Sequence, residues 1–115
     1  MAFKLGSEKR NVKSSKNTII RKNLSDGILG EANKDGSIFV DKSLEPGSPK
    51  YKEVVSHEKV HAKEMNQGKL DYGKDWIRYN NSTYKRKDGK IKYNGKWTEE
   101  GSKSFPWEKS AYKNQ

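Results

Sequence analysis

The sequence contains no cysteine, three prolines and few apolar residues: 30% of its 115 positions are hydrophobic. Mean hydropathy is -1.23. Without cysteine there is no disulfide framework and no thiolate metal site, so a metal centre has to be built from histidine, carboxylate and water. No apolar run approaches the roughly 18 residues of a membrane-crossing helix, and Met1-Ala2-Phe3-Lys4-Leu5-Gly6-Ser7 lacks the apolar stretch of a secretory signal. No membrane partner is expected, and a cytoplasmic or particle-associated location follows as the expectation. So little apolar surface supports one small core, hence one domain.

What the chain has in excess is positive charge. Twenty-five lysines and arginines against fifteen acidic residues leave a formal charge of +10. The excess is concentrated in two segments. Residues 1–22 hold Lys4, Lys9, Arg10, Lys13, Lys16, Arg21 and Lys22 against Glu8; residues 83–97 hold Lys85, Arg86, Lys87, Lys90, Lys92 and Lys96 against Asp88. Such clusters draw polyanions (nucleic acid, an anionic wall polymer, an acidic protein) and serve equally well as plain solvated surface. Neither paired zinc fingers nor an aromatic-rich RNA-binding strand accompanies them. Residues 1–18 carry no hydrophobic period and are expected to be a flexible basic arm that orders only against a partner; residues 19–115 are expected to form the domain.

Past the arm, Ile19-Ile20 is a short apolar patch of strand character. Residues 28–33 and 37–41 flank Asp35-Gly36, a pair that favours a tight hairpin turn, and are expected to pair antiparallel. Glu45-Pro46-Gly47-Ser48-Pro49 closes the sheet and opens a helix. Ser48 suits the N-cap, Pro49 the first helical position and Gly68 the stop, which places the helix over 49–66. Along it Tyr51, Val54, Val55, Glu58, His61, Ala62 and Met65 recur at helical spacing and mark the inward face. Residues 70–79 fit a short helix or a packed loop. Residues 83–97 read as weakly hydrophobic strands turned at Asp88-Gly89 and Asn94-Gly95, a protruding basic flap. Residues 104–112, with Pro106 in the first turn, read as a short C-terminal helix that needs the first helix to pack on. The fold class is α+β: a strand hairpin packed on a long helix and a short one.

The chain's two histidines fall in His57-Glu58-Lys59-Val60-His61, an H-E-x-x-H. Random placement in a chain of this composition yields that pattern roughly once in 700, which separates it from chance. On a helix, residues i and i+4 project from one face a turn apart, so both imidazoles can reach one Zn2+. The glutamate after the first histidine then lies beside the open coordination position, where it can take a proton from the metal's water and pass it to a leaving amine. Without a metal, the same pattern is a pair of part-buried core histidines.

A catalytic zinc needs a third protein ligand, and with no third histidine it must be a carboxylate. Glu64, one turn past His61, has too short a reach from a straight helix. Glu108 is better placed: it is on the second helix, beside Trp107, and the small Ala111 three residues on lets two helices approach. Glu99, Glu100, Asp71 and Asp75 remain alternatives.

Residues 54–62 and the segment Trp107-Glu108-Lys109-Ser110-Ala111 resemble the zincin metallopeptidases of gluzincin type, in which H-E-x-x-H occupies one helix and a glutamate from a later helix completes the site. They are similar also to short H-E-x-x-H proteins encoded by bacteria and phages. The resemblance spans about residues 28–112. It implies a minimal zincin-like fold, His57, His61 and Glu108 as ligands of Zn2+, and Glu58 as general base. It also implies that the 37–41 strand is the edge on which an extended peptide lies. It assigns no oxyanion donor, for which Tyr72, Tyr79, Tyr84, Tyr93 and Tyr112 are candidates. The helical subdomain that builds much of the cleft in larger gluzincins has no counterpart.

The first functional expectation is a zinc-dependent peptidase acting on a peptide or protein, an anionic one given the positive surface. The alternative is a structural or binding protein, for example a phage virion component, whose zincin scaffold carries a non-catalytic or vestigial metal. Its basic arm and flap would hold neighbouring subunits or nucleic acid. A nucleic-acid module driven by charge alone ranks third, because it leaves the H-E-x-x-H unexplained.

Overall fold

The computed structural model of the chain describes residues 2–6, 18–25 and 27–115. Four short strands make the first sheet: β1 (Ala2–Leu5), β2 (Ile19–Lys22), β3 (Ile28–Ala32) and β4 (Ile38–Asp41), in the order β1-β3-β4-β2. β3 and β4 are the expected antiparallel hairpin, with Gly30 opposite Val40 and Ala32 opposite Ile38. Their turn closes because Gly36 takes φ 90°, open to a residue without Cβ, while Asp35 accepts the Ser37 amide at 2.9 Å. β1 runs parallel to β3, and β2 runs parallel to β4.

Two expectations change in this sheet. Residues 2–5, expected to belong to a flexible arm, are a core strand: Phe3 and Leu5 are 0% and 1% exposed. Alternation puts both on one face, while Lys4 reaches Glu31 at 3.3 Å. The remainder of that arm, residues 7–17, lies outside the described residues. Nor is β4 the free edge that the resemblance implied. It is an inner strand, because β2 pairs along its other side.

The long helix α1 (Pro49–Asn66) starts and stops where its sequence demands. Ser48 Oγ accepts the Tyr51 amide at 3.2 Å, Pro49 occupies the first turn, and the chain leaves through Gly68 at φ 80°. Its buried side chains are Val54, Val55, His57, Glu58, His61, Ala62, Glu64 and Met65. That is the anticipated stripe without Tyr51, which is only half-buried, and widened by His57 and Glu64.

The second sheet is an antiparallel meander in chain order: β5 (Leu70–Tyr72), β6 (Trp76–Tyr79), β7 (Ser82–Lys87), β8 (Lys90–Tyr93) and β9 (Lys96–Glu99). Residues 70–79, read from sequence as helix or loop, are thus two strands. The signal that marks them is Asn80-Asn81. Those residues take φ 49° and 72° and fold β6 onto β7, as Asp88-Gly89 and Asn94-Gly95 fold the next two pairs. Nor do residues 83–97 protrude as a flap. Arg86 and Ile91 on the inner face are 6% and 1% exposed, and Ile91 packs in one cluster with Phe105 and with Trp107 of the second helix, α2 (Pro106–Lys113). Trp107 of α2 stacks on Phe105, centroids 4.7 Å apart, and meets Tyr79, Tyr84 and Tyr93.

Arg86 ties the two sheets together. Its guanidinium donates to both Glu100 oxygens at 2.6 and 3.1 Å, and to the carbonyls of Leu5, Gly6 and Gly73 at 2.7, 2.9 and 3.0 Å. That side chain fastens β1 to the meander, together with Leu5, which packs in one cluster with Leu70, Tyr72, Ile77 and Ile91. The result is two helices packed against two small sheets, a minimal zincin-like α+β arrangement. Among the described residues no helix is long and apolar enough to cross a membrane.

Candidate metal centre

His57 and His61 are one turn apart on α1, and Glu108 is in the first turn of α2. Two features of α2 aim Glu108 at α1. Trp107 is locked in the aromatic cluster, which fixes the helix rotation, and Ala111, 0% exposed, is small enough for close approach. Glu108 Oε1 consequently lies 2.8 Å from His57 Nε2 and 3.0 Å from His61 Nε2. One possible ligand atom from each residue lies within 4.8 Å of the other two.

Further contacts orient the rings. His57 Nδ1 faces Gln115 Oε1 at 2.8 Å, while Gln115 Nε2 donates to Glu53 at 2.7 Å. An amide oxygen only accepts, so Nδ1 carries a proton and Nε2 is the nitrogen turned toward the site. Phe3 of β1 stacks flat on the His57 ring, centroids 3.6 Å apart and planes at 10°, and Tyr112 meets its edge at 4.7 Å. His57, Glu58 and His61 are 0% exposed and Glu108 is 1% exposed.

The electrostatics divide the two carboxyl groups. Burial pushes Glu108 upward, but the charge and hydrogen bonds of His61 and His57 overcome it and hold the group at about 2. Glu58 is pushed well above the ordinary carboxylate range, first by burial, then by the negative charges of Glu108 and Glu31. Neither oxygen of Glu58 has a hydrogen-bond partner among the described residues, and neither does His61 Nδ1. A buried polar group left unpaired costs about 1–3 kcal/mol, so folding alone gives no reason for a glutamate here.

The residues fit a divalent cation. Two imidazole nitrogens and a carboxylate oxygen are the donor set of a His2Glu zinc site, and tetrahedral bonds of about 2.0–2.1 Å place donor atoms about 3.3 Å apart. The 2.8 and 3.0 Å between Glu108 and the imidazoles need only a small outward shift. The other carboxylates considered from sequence are not part of this cluster. Glu100 is held by Arg86, Asp71 by Lys34 and Arg78, and Glu64 by the Tyr79 hydroxyl. Of the five tyrosines, Tyr112 is the one against a ligand ring, and its hydroxyl donates to the Gly101 carbonyl at 2.7 Å. Sequence reasoning did not reach Phe3, Gln115 or Gly30, whose roles arise from long-range packing.

Gly30 of β3 lies directly over Glu58. A Cβ there would come within 2.6 Å of Glu58 Oε2 and 2.7 Å of Val54 Cγ1. Gly30→Ala is therefore expected to destabilise the fold by about 1–3 kcal/mol, as overpacking does. Urea unfolding of Gly30→Ala, Glu58→Ala and the double variant should give a coupling larger than about 0.5 kcal/mol, since the two positions touch.

No protein-family model, curated protein or solved structure matches the chain. Fold and site define the class on their own: a buried H-E-x-x-H cluster completed by Glu108, a zincin-like site on a minimal α+β scaffold.

Proposed function

We propose that the protein is a zinc-dependent peptidase. Zinc would be held by Nε2 of His57, Nε2 of His61 and the Glu108 carboxylate; when bound, it supplies a Lewis acid that acidifies water and polarises a carbonyl. Glu58 accepts the proton released at that position and returns it to the leaving amine. Gln115 holds the tautomer of His57, and Phe3 with Tyr112 fixes its ring and excludes solvent. The observation that carries this reading is Glu58 itself, buried next to His57 on α1, with neither oxygen partnered among the described residues. The charge of +10 favours an acidic polypeptide as substrate. The four site residues are closed off from solvent, with Phe3 stacked on the His57 ring and Tyr112 against its edge.

That closure also favours a second reading, in which the ion is a structural rivet between α1 and α2 and the chain works as a binding or structural protein. Hydrolysis separates the two. Zinc-loaded protein is incubated with an unstructured acidic polypeptide, with and without a zinc chelator, and the products are mapped by mass spectrometry. Cleavage that stops on chelation is the expected result. A folded, zinc-loaded protein that leaves the polypeptide intact contradicts the peptidase and leaves the rivet.

A further inference from the structure

Alternation along the meander sorts its side chains onto two faces. Ile77, Tyr79, Tyr84, Ile91 and Tyr93 turn inward to pack with Phe105 and Trp107. The outer face carries Trp76 and Arg78 from β6, Lys85 and Lys87 from β7, Lys90 and Lys92 from β8, and Trp97 and Glu99 from β9. In register, Trp76 is opposite Lys85, Lys87 opposite Lys90, and Lys92 opposite Trp97. Trp76, Lys85, Lys92 and Trp97 therefore make one row across four strands, about 14 Å from end to end at the usual strand spacing.

Two features of this outer face are unfavourable to the chain alone. Lys85, Lys87, Lys90 and Lys92 are all exposed, and none has an ion-pair partner among the described residues. Like charges directly across strands, as at Lys87 and Lys90, destabilise a sheet, and Glu99, opposite Lys90 on its other side, is the one acidic residue facing these lysines in register. Beside them Trp97 is 45% exposed, an indole left in water. A depression of ≈ 600 Å³ runs past it, lined by Lys74, Lys85, Lys87 and Trp97, with Asp75 and Asp88 at the turn ends. An anionic ligand that also offers flat rings relieves both features. An acidic polypeptide neutralises the lysines but brings nothing for the indole. A duplex keeps its base faces stacked inside. An unpaired strand offers phosphates and bases together.

We propose that this outer face binds single-stranded nucleic acid, with phosphates on Lys85, Lys87, Lys90 and Lys92 and a base stacked on Trp97. Lysines are point charges without the fork that reads base edges, so binding is sequence-tolerant. The face is on the side of the meander away from α2, so the proposal is independent of the peptidase reading.

The test is fluorescence anisotropy of a labelled oligothymidylate 12-mer with the full chain across a potassium chloride series. Trp97→Ala is expected to weaken binding about 5- to 150-fold, the loss of one stacked base. Replacing the four lysines with glutamine should flatten the log–log salt slope by about 2.8, at about 0.7 per phosphate. Both variants alter exposed side chains, and unchanged thermal unfolding and zinc content show that each is intact. Trp97→Ala binding as tightly as wild type overturns the proposal. So does polyglutamate competing as well as the oligonucleotide, or a duplex binding as tightly as the single strand.

Discussion

Glu58→Gln is expected to leave the protein folded and zinc-binding while lowering peptide hydrolysis by about 10²–10⁴-fold, the usual worth of a positioned general base. The substitution keeps the size and shape of the side chain. It removes no hydrogen bond, because neither oxygen of Glu58 has a partner among the described residues, and it removes a carboxyl group that burial and Glu108 both oppose. Stability should therefore hold or rise, and the three ligand atoms are untouched. Metal analysis, thermal unfolding and hydrolysis rate on the same preparation read the three quantities separately. Equal hydrolysis by both proteins would remove Glu58 from the chemistry.

Arg86→Met is expected to lower unfolding free energy by about 3–5 kcal/mol, the penalty for breaking a buried ion pair from one side. Glu100 is 8% exposed and loses its only described counter-charge, and the carbonyls of Leu5, Gly6 and Gly73 lose their donors. Domains of this size have about 5–15 kcal/mol in total, so a large share of stability rests on one guanidinium. Replacing Glu100 with leucine in the same chain should recover part of the loss, since an apolar pair leaves no stranded charge. Urea unfolding of the single and double variants checks both statements. A single-variant loss under about 1 kcal/mol would give the pair the weight of an exposed one.

The site was readable where its geometry is local. His57, Glu58 and His61 share one helix, and helical spacing alone puts both imidazoles on one side. Glu108 was reachable because Pro106 and Ala111 mark a helix that can approach closely, although 47 residues separate it from His61. Gln115 carries no such mark: its contact with His57 spans 58 residues and depends on where α2 delivers the chain. β1 was hidden for a related reason. Two apolar residues among lysines make a strand only when β3 and the core are there to receive Phe3 and Leu5. Asn80-Asn81 escaped because neither residue is glycine, yet both take the left-handed conformation that asparagine tolerates. Arg86 stands in a basic run that reads as solvated surface; only sheet alternation and the bond to Glu100 reveal that it faces inward.

The most direct test is zinc content. Full-length wild-type protein, His61→Ala and Glu108→Ala are equilibrated with a zinc buffer, separated from free ion and analysed for metal, with circular dichroism recording the fold. Wild type should hold zinc one-to-one, and each folded variant should lose it at the same free-zinc concentration. Folded wild type that takes up no zinc, or a His61→Ala variant that holds it as tightly as wild type, would contradict the account.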